Sequence, residues 1–297
     1  MGIRQITADV LVDARCALGE GPTWSSAEQR LLWVDIDASR LHSLEIAAND
    51  TWTHHVTTLA GRVSAVVPAA DGGRIAVAGC DVVRLGTDGS FESVIALLPR
   101  DGDGMANDAR CDPHGTLWVG TVDRSGQGRG GLFAVSPGGS VDRLSGGIGL
   151  ANGLDWSPDG STCYFVDSFT HSVQRFTLDP CGAPTARSTL TNVDGLPDGL
   201  TVDCDGAVWV ALWDRQAVHR YTPRGELDAV VSVPGGYVTS CAFGGPCQDT
   251  LFITTARHDL AADHPFADRA GGLFAADVGT SGCPYTPFGG KRGPTPR

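Results

Sequence analysis

Short apolar runs recur along the chain, each introduced by a turn: RLLWVDI at 30–36, RIAVAG at 74–79, TLWVGT at 116–121, TCYFVD at 162–167, AVWVAL at 207–212 and TLFITT at 250–255. Runs of this length, rich in β-branched and aromatic residues and bounded by Gly, Pro and Asp, read as strands. Turn signals precede most of them, as in Asp71-Gly72-Gly73, Asp112-Pro113-His114-Gly115, Ser157-Pro158-Asp159-Gly160 and Asp203-Cys204-Asp205-Gly206. Each is followed by a second hairpin-like segment, so each repeat supplies four short strands.

The repeat length is about 42 to 48 residues. Sequential four-stranded antiparallel units at that period predict an all-β, six-bladed β-propeller around a central channel. The segment Ile6–Val12, ITADVLV, precedes the first full repeat and has no local partner. It is expected to close the ring as an outer strand of the last blade, covering an otherwise open edge. One domain is expected over 1–288, with a disordered tail over 289–297, where GGKRGPTPR is basic and rich in Gly and Pro. Trp24, Trp33, Trp118, Trp156 and Trp209 fall at repeated strand positions and read as core between blades. Trp213 differs: it follows a strand core at ALWDRQ, where a loop can reach the channel rim and an aromatic can stack on a substrate ring, although core packing is the preferred reading. The pair His54-His55 reads as a solvated blade edge.

Stepping back about ten to twelve residues from each strand core reaches the start of the innermost strand, where side chains face the channel mouth. The residues there are Glu20, Ser64, Asn107, Asn152, Asp198 and Ser240, all polar within apolar or glycyl surroundings. Asn-Gly and Asp-Gly pairs are ordinary turn formers; their recurrence at one register, together with Glu20-Gly21, points instead to a ring of channel-facing groups. Two carboxylates converging on an axis repel one another unless a cation lies between them. Glu20, Asp198 and the side-chain carbonyl of Asn152 make an all-oxygen set suited to Ca²⁺, Mg²⁺ or Mn²⁺.

Composition narrows the partners. Twenty-two basic against 34 acidic residues give a net charge of −12, which argues against nucleic acid and against anionic membranes. No apolar stretch reaches membrane-spanning length and no secretory leader is apparent. Nine cysteines, odd in number and never spaced C-x-x-C, favour a reducing, cytoplasmic setting.

LGEGPTW, ANDARCDPHGTLWVGT, ANGLDWSPDG, LPDGLTVDCDGAVWVA, TSCAFGG and AGGLF, in this order, make the chain resemble the SMP-30 (regucalcin)/gluconolactonase/luciferin-regenerating family over nearly its whole length. The resemblance implies a divalent metal held by Glu20, Asn152 and Asp198, with Asn107 near metal and substrate. It further implies a carboxylic ester hydrolase that opens a lactone by metal-assisted attack of water, with Asp198 as general base. Ca²⁺ is the first choice of ion, followed by Mn²⁺, Zn²⁺, Mg²⁺ or Fe²⁺. Ser64, Ser240 and Met105 complete the expected substrate-binding set. Where members acting on sugar lactones often carry Arg two residues before the Asn107 position, this chain has Met105, exchanging a guanidinium for a thioether; Arg62, Arg100 or Arg124 are candidates to replace it. The expected partner is a small lactone, and the expected state a monomer or weak dimer. The competing readings are a non-catalytic calcium-binding or interaction propeller and a metal-dependent aryl-ester or phosphotriester hydrolase.

Overall fold

A computed structural model describes residues 2–46, 51–100, 102–261 and 263–293. Six sheets follow one another in sequence, each with its first strand innermost. The innermost strands are Gly19–Ser25, Ala65–Pro68, Gly104–Cys111, Ala151–Trp156, Pro197–Val202 and Tyr237–Gly244. The second strands coincide with the apolar runs of the sequence, from Arg30–Asp35 in blade 1 to Thr250–Ala256 in blade 6. The architecture is a six-bladed β-propeller, and among the described residues the only helix is a single 3₁₀ turn, Ser168–Thr170.

The Pro158-Asp159-Gly160 turn forms for a local reason. In blade 4, Gly160 takes a φ of 72°, its N–H reaches the carbonyl of Ser157 at 2.9 Å, and the Asp159 carboxylate accepts from the backbone of Ser161. Between blades the core is aromatic. Trp118 of blade 3 meets Trp156 of blade 4 edge-on at 5.4 Å, and Trp209 of blade 5 meets Phe243 of blade 6 at 5.9 Å. The five predicted core tryptophans are fully buried, and each such aromatic pair contributes about 0.5–1.5 kcal/mol beyond its area. His54 departs from expectation: it is half-buried, stacked on Trp33 at 5.3 Å and 3.0 Å from the His42 ring nitrogen.

Ring closure is shared between two blades. Asp9–Val12 adds to blade 6, antiparallel to Leu273–Asp277, as expected, but Arg4–Thr7 runs parallel to Leu227–Ser232 as a fifth strand of blade 5. The division falls at Ala8, which is buried between the two sheets and donates its N–H to the carbonyl of Ser232.

At the other terminus the chain crosses the underside of the ring as a strap. Gly282 N–H bonds the Gln248 carbonyl, Phe288 N–H the Pro68 carbonyl and Gly289 N–H the Gly115 carbonyl, while Arg292 reaches the Ser157 carbonyl at 2.9 Å. Of the tail expected to be disordered, 294–297 lie outside the described residues.

Candidate functional site

Five of the six innermost strands carry a register irregularity at their mouth end, between Glu20 and Thr23, Ala106 and Ala109, Ala151 and Leu154, Pro197 and Leu200, and Val238 and Ser240. A bulge frees residues from the ladder and re-aims their side chains. Asn107, Asn152 and Asp198 fall inside these interruptions, and Glu20 is the last paired residue before its own. The glycine after each ligand candidate has its own reason. A Cβ on Gly153 would collide with the backbone of Gly199 and Leu200, and one on Gly199 with Ser240, so the glycines let neighbouring innermost strands close tightly around the axis.

Glu20, Asn107, Asn152 and Asp198 line one cavity of about 250 Å³ at the mouth, together with Ser168 and Arg62. Leu18, Ile36, Leu150, Leu196, Pro197 and Trp213 form its apolar walls. Trp213 is therefore a mouth residue and not buried core. It is half-buried and stacked on Tyr237 at 4.6 Å, because the strand it follows has already ended at Leu212.

A hydrogen-bond chain runs around the mouth. Ser64 Oγ donates to the Asn107 carbonyl at 2.6 Å, and Asn107 Nδ2 to Asn152 Oδ1 at 2.6 Å and to the Ala151 carbonyl at 2.9 Å. Asn152 Nδ2 donates to Ser168 Oγ at 2.8 Å, and Ser168 in turn to the Pro197 carbonyl. The chain fixes which way each amide points, with Asn152 presenting oxygen to one side and nitrogen to the other. Ser64, Met105 and Ser240 do not line the cavity. Ser64 positions Asn107, Ser240 is buried against Gly199, and Met105 pairs with Val122 at the edge of blade 3. Of the three arginines considered, Arg62 alone lines the cavity, its guanidinium 3.4 Å from Asp37, whereas Arg100 pairs with Asp81.

Sequence reasoning passed over Asp108. The bulge between Ala106 and Ala109 turns it, like its neighbour Asn107, out of the ladder. Burial pushes the Asp198 carboxyl well above the ordinary range, and Asp108 pushes it further. Burial, then Asp198 and Asp108, do the same to Glu20, although Gly21 N–H donates to it at 3.1 Å. Asp108 is itself raised by burial, partly opposed by Arg110. Among the described residues none of these three carboxylates has an ion-pair partner. Three acidic groups without an ion-pair partner, beside one amide oxygen, make a donor set that fits a hard divalent cation.

Behind the Glu20 strand a second group, Cys16, Asp35 and His42, brings its potential ligand atoms within 4.8 Å. Here the fold already occupies the carboxylate: Asp35 accepts from the N–H groups of Ala17, Leu18 and Ala38, as Asp167 accepts from Gly149, Leu150 and Phe169 in blade 4. Asp35 is thus a repeated strand clamp.

Residues 18–257 match the family model described as SMP-30/gluconolactonase/LRE-like region. The chain belongs to this family. A pentonolactonase of Haloferax volcanii is 34% identical over 288 residues, covering 94% of this chain and 97% of that protein. A 6-deoxy-6-sulfogluconolactonase of Pseudomonas putida is 32% identical over 295 residues, covering 96% and 99%. Among solved structures, a calcium-binding regucalcin from Agrobacterium tumefaciens superposes with a TM-score of 0.87 at 30% identity, covering 97% of this chain and 99% of that one. No helix among the described residues is long and apolar enough to cross a membrane.

Proposed function

We propose that the protein is a divalent-metal-dependent hydrolase that opens a small lactone. The observation that carries this reading is the buried acidic cluster at the mouth: Glu20 and Asp198 line the cavity with Asn152, Asp108 acts on both, and among the described residues none of the three carboxylates has an ion-pair partner. The lactonase names of two relatives and the calcium-binding solved relative support the reaction class and the ion.

Glu20, Asp198 and Asn152 Oδ1 would hold the ion, with Ca²⁺ the first choice for an all-oxygen set. When bound, the cation supplies Lewis-acid polarisation of the lactone carbonyl and balances the charge that develops there. The rest falls to the chain. The apolar walls, with Trp213 and Leu196, strip water from one face of the ring, and a cavity of about 250 Å³ admits a small cyclic ester and not a polymer. Arg62 at the rim offers the cationic donor that Met105 lacks. Asp198 accepts the proton of the attacking water. Asn107, held by Asn152 and Ala151, keeps the mouth rigid through turnover.

The test is a chelator-dialysed protein assayed on sugar and aliphatic lactones and an aryl ester, with Ca²⁺, Mn²⁺, Zn²⁺, Mg²⁺ or Fe²⁺ restored singly. Metal-restored turnover of a lactone that is lost in Asp198→Ala supports the reading. Calcium binding with no turnover of any substrate rejects it in favour of a binding propeller, and turnover confined to the aryl ester in favour of an arylesterase.

A further inference from the structure

Most of the nine cysteines have an evident structural place. The sulfurs of Cys80, Cys163 and Cys241 meet backbone carbonyls, that of Cys16 meets a His42 ring nitrogen, and Cys111 lies in the core between blades 2 and 3. Cys204 and Cys283 are different. Their sulfurs are 3.7 Å apart, although 79 residues separate them in sequence. Cys204 sits half-buried in the turn after the innermost strand of blade 5, and Cys283 in the strap beneath the ring, 9% exposed. The two segments are already registered: Asp203 and Gly282 form an antiparallel bridge, and Cys204 N–H reaches the Ser281 carbonyl at 2.8 Å.

We propose that Cys204 and Cys283 form a reversible oxidation site, whose disulfide fastens the C-terminal strap to blade 5 across the closed end of the channel. A disulfide requires sulfurs about 2.05 Å apart, so a contact at 3.7 Å needs only a local adjustment of the turn and the irregular strap. The oxidant is a small disulfide such as glutathione disulfide. The more exposed Cys204, as thiolate, attacks one of its sulfurs and expels a glutathione thiolate; Cys283, deprotonated, attacks the Cys204–glutathione bond and expels the second. One disulfide is reduced to two thiols, which take up the two cysteine protons, and one protein disulfide is formed. Burial and the neighbouring Cys204 push the Cys283 thiol up to about 12, which suits a slow resolving step that follows attack by Cys204.

The loop so closed spans most of the last two blades, and closing a long loop restricts the unfolded chain. The strap also carries Tyr285, which lies 4.5 Å over the Arg110 guanidinium at the closed end. The cross-link therefore tightens the far end of the channel without touching the mouth.

The experiment incubates the folded protein with glutathione disulfide, counts free thiols, maps non-reduced peptides and records melting temperature. The expected result is a Cys204–Cys283 peptide, two thiols lost beyond those taken up by glutathione, and a melting temperature raised by several degrees and restored by dithiothreitol. In Cys283→Ser the cross-link disappears and a stable glutathione adduct accumulates on Cys204. Exposed Cys181 and Cys247 acquire glutathione in every variant and report that the oxidant acted. Glutathione persisting on Cys204 in the unaltered protein, a cross-link to another cysteine, or an unreacted Cys204 beside modified Cys181 and Cys247 would each overturn the site. A cross-link that leaves the melting temperature unchanged would overturn the fastening of the strap.

Discussion

The two ends of the channel handle the same problem in opposite ways. Both bury acidic side chains from the innermost strands. At the closed end, Asp155 receives the Arg110 guanidinium at 2.8 Å, the Thr201 hydroxyl at 3.0 Å and the Val202 N–H at 3.0 Å. Tyr285 caps the group, its hydroxyl shared with Thr201 and with the Phe243 N–H. Charge, hydrogen bonds and access are all satisfied from within the chain. At the mouth, Glu20 and Asp198 line an open cavity, Asp108 pushes both carboxyls up, and among the described residues none of the three has an ion-pair partner. A buried acid that is fully paired is architecture, and one left unpaired is kept for a ligand.

The contrast is broken most severely by exchanging what the two ends can tolerate. Asp198→Ala should lower kcat/KM for the lactone by about a thousandfold or more, while denaturation of the metal-free protein shows equal or greater stability, since a repelling charge has been removed. Arg110→Met should do the reverse at the other end: stripping the partner from buried Asp155 costs about 3–5 kcal/mol of folding stability, read from urea denaturation with Ca²⁺ absent. If Arg110→Met leaves stability intact, the closed end is not the self-sufficient cluster described.

A pH titration sharpens the same comparison at smaller amplitude. In the metal-free protein the Glu20 and Asp198 carboxyls are held above their ordinary values. A group whose proton affinity is higher in the folded state lends stability below its unfolded pKa and loses it as pH rises through the folded one. Chelated protein should therefore be most stable in mild acid and weaken from about pH 4 upward, and saturating Ca²⁺ should flatten that slope. Melting temperatures across the range, with and without Ca²⁺, measure it. The smallest effect is expected at the rim, where Arg62→Ala should raise KM about fivefold with kcat nearly unchanged.

The parts legible in the sequence were those that repeat. The strand cores recur at a fixed period, so blade number, the buried tryptophans and the ring of polar channel positions could all be read by register. What escaped reading depends on backbone detail at single positions. Asp108 follows Asn107 in an ordinary strand count and should face away from it; only the bulge brings both out of the ladder. Trp213 could be set apart from the five buried tryptophans by its place after a strand core, but the choice between rim and core turned on the strand ending at Leu212, which has no compositional signature. Ser64 and Ser240 sit at the right register yet serve the neighbouring strands, Ser64 through Asn107 and Ser240 against Gly199. Arg110 and Tyr285 belong to no shared pattern, since the strap that carries Tyr285 lies outside the repeat.

The split N-terminal segment sets an order of events during synthesis. Arg4–Thr7 and Asp9–Val12 leave the ribosome before any of blades 1 to 4, yet their partners, Ala229–Ser232 and Leu273–Ala275, are made after all four. Blades 1 to 4 can assemble as they emerge, each on its predecessor, while the opening residues wait without a sheet to join. Closure of the ring then waits for blades 5 and 6 to receive these two strands, and a nascent chain released before blade 6 is made would expose the flanks of an unclosed ring to chaperones and proteases.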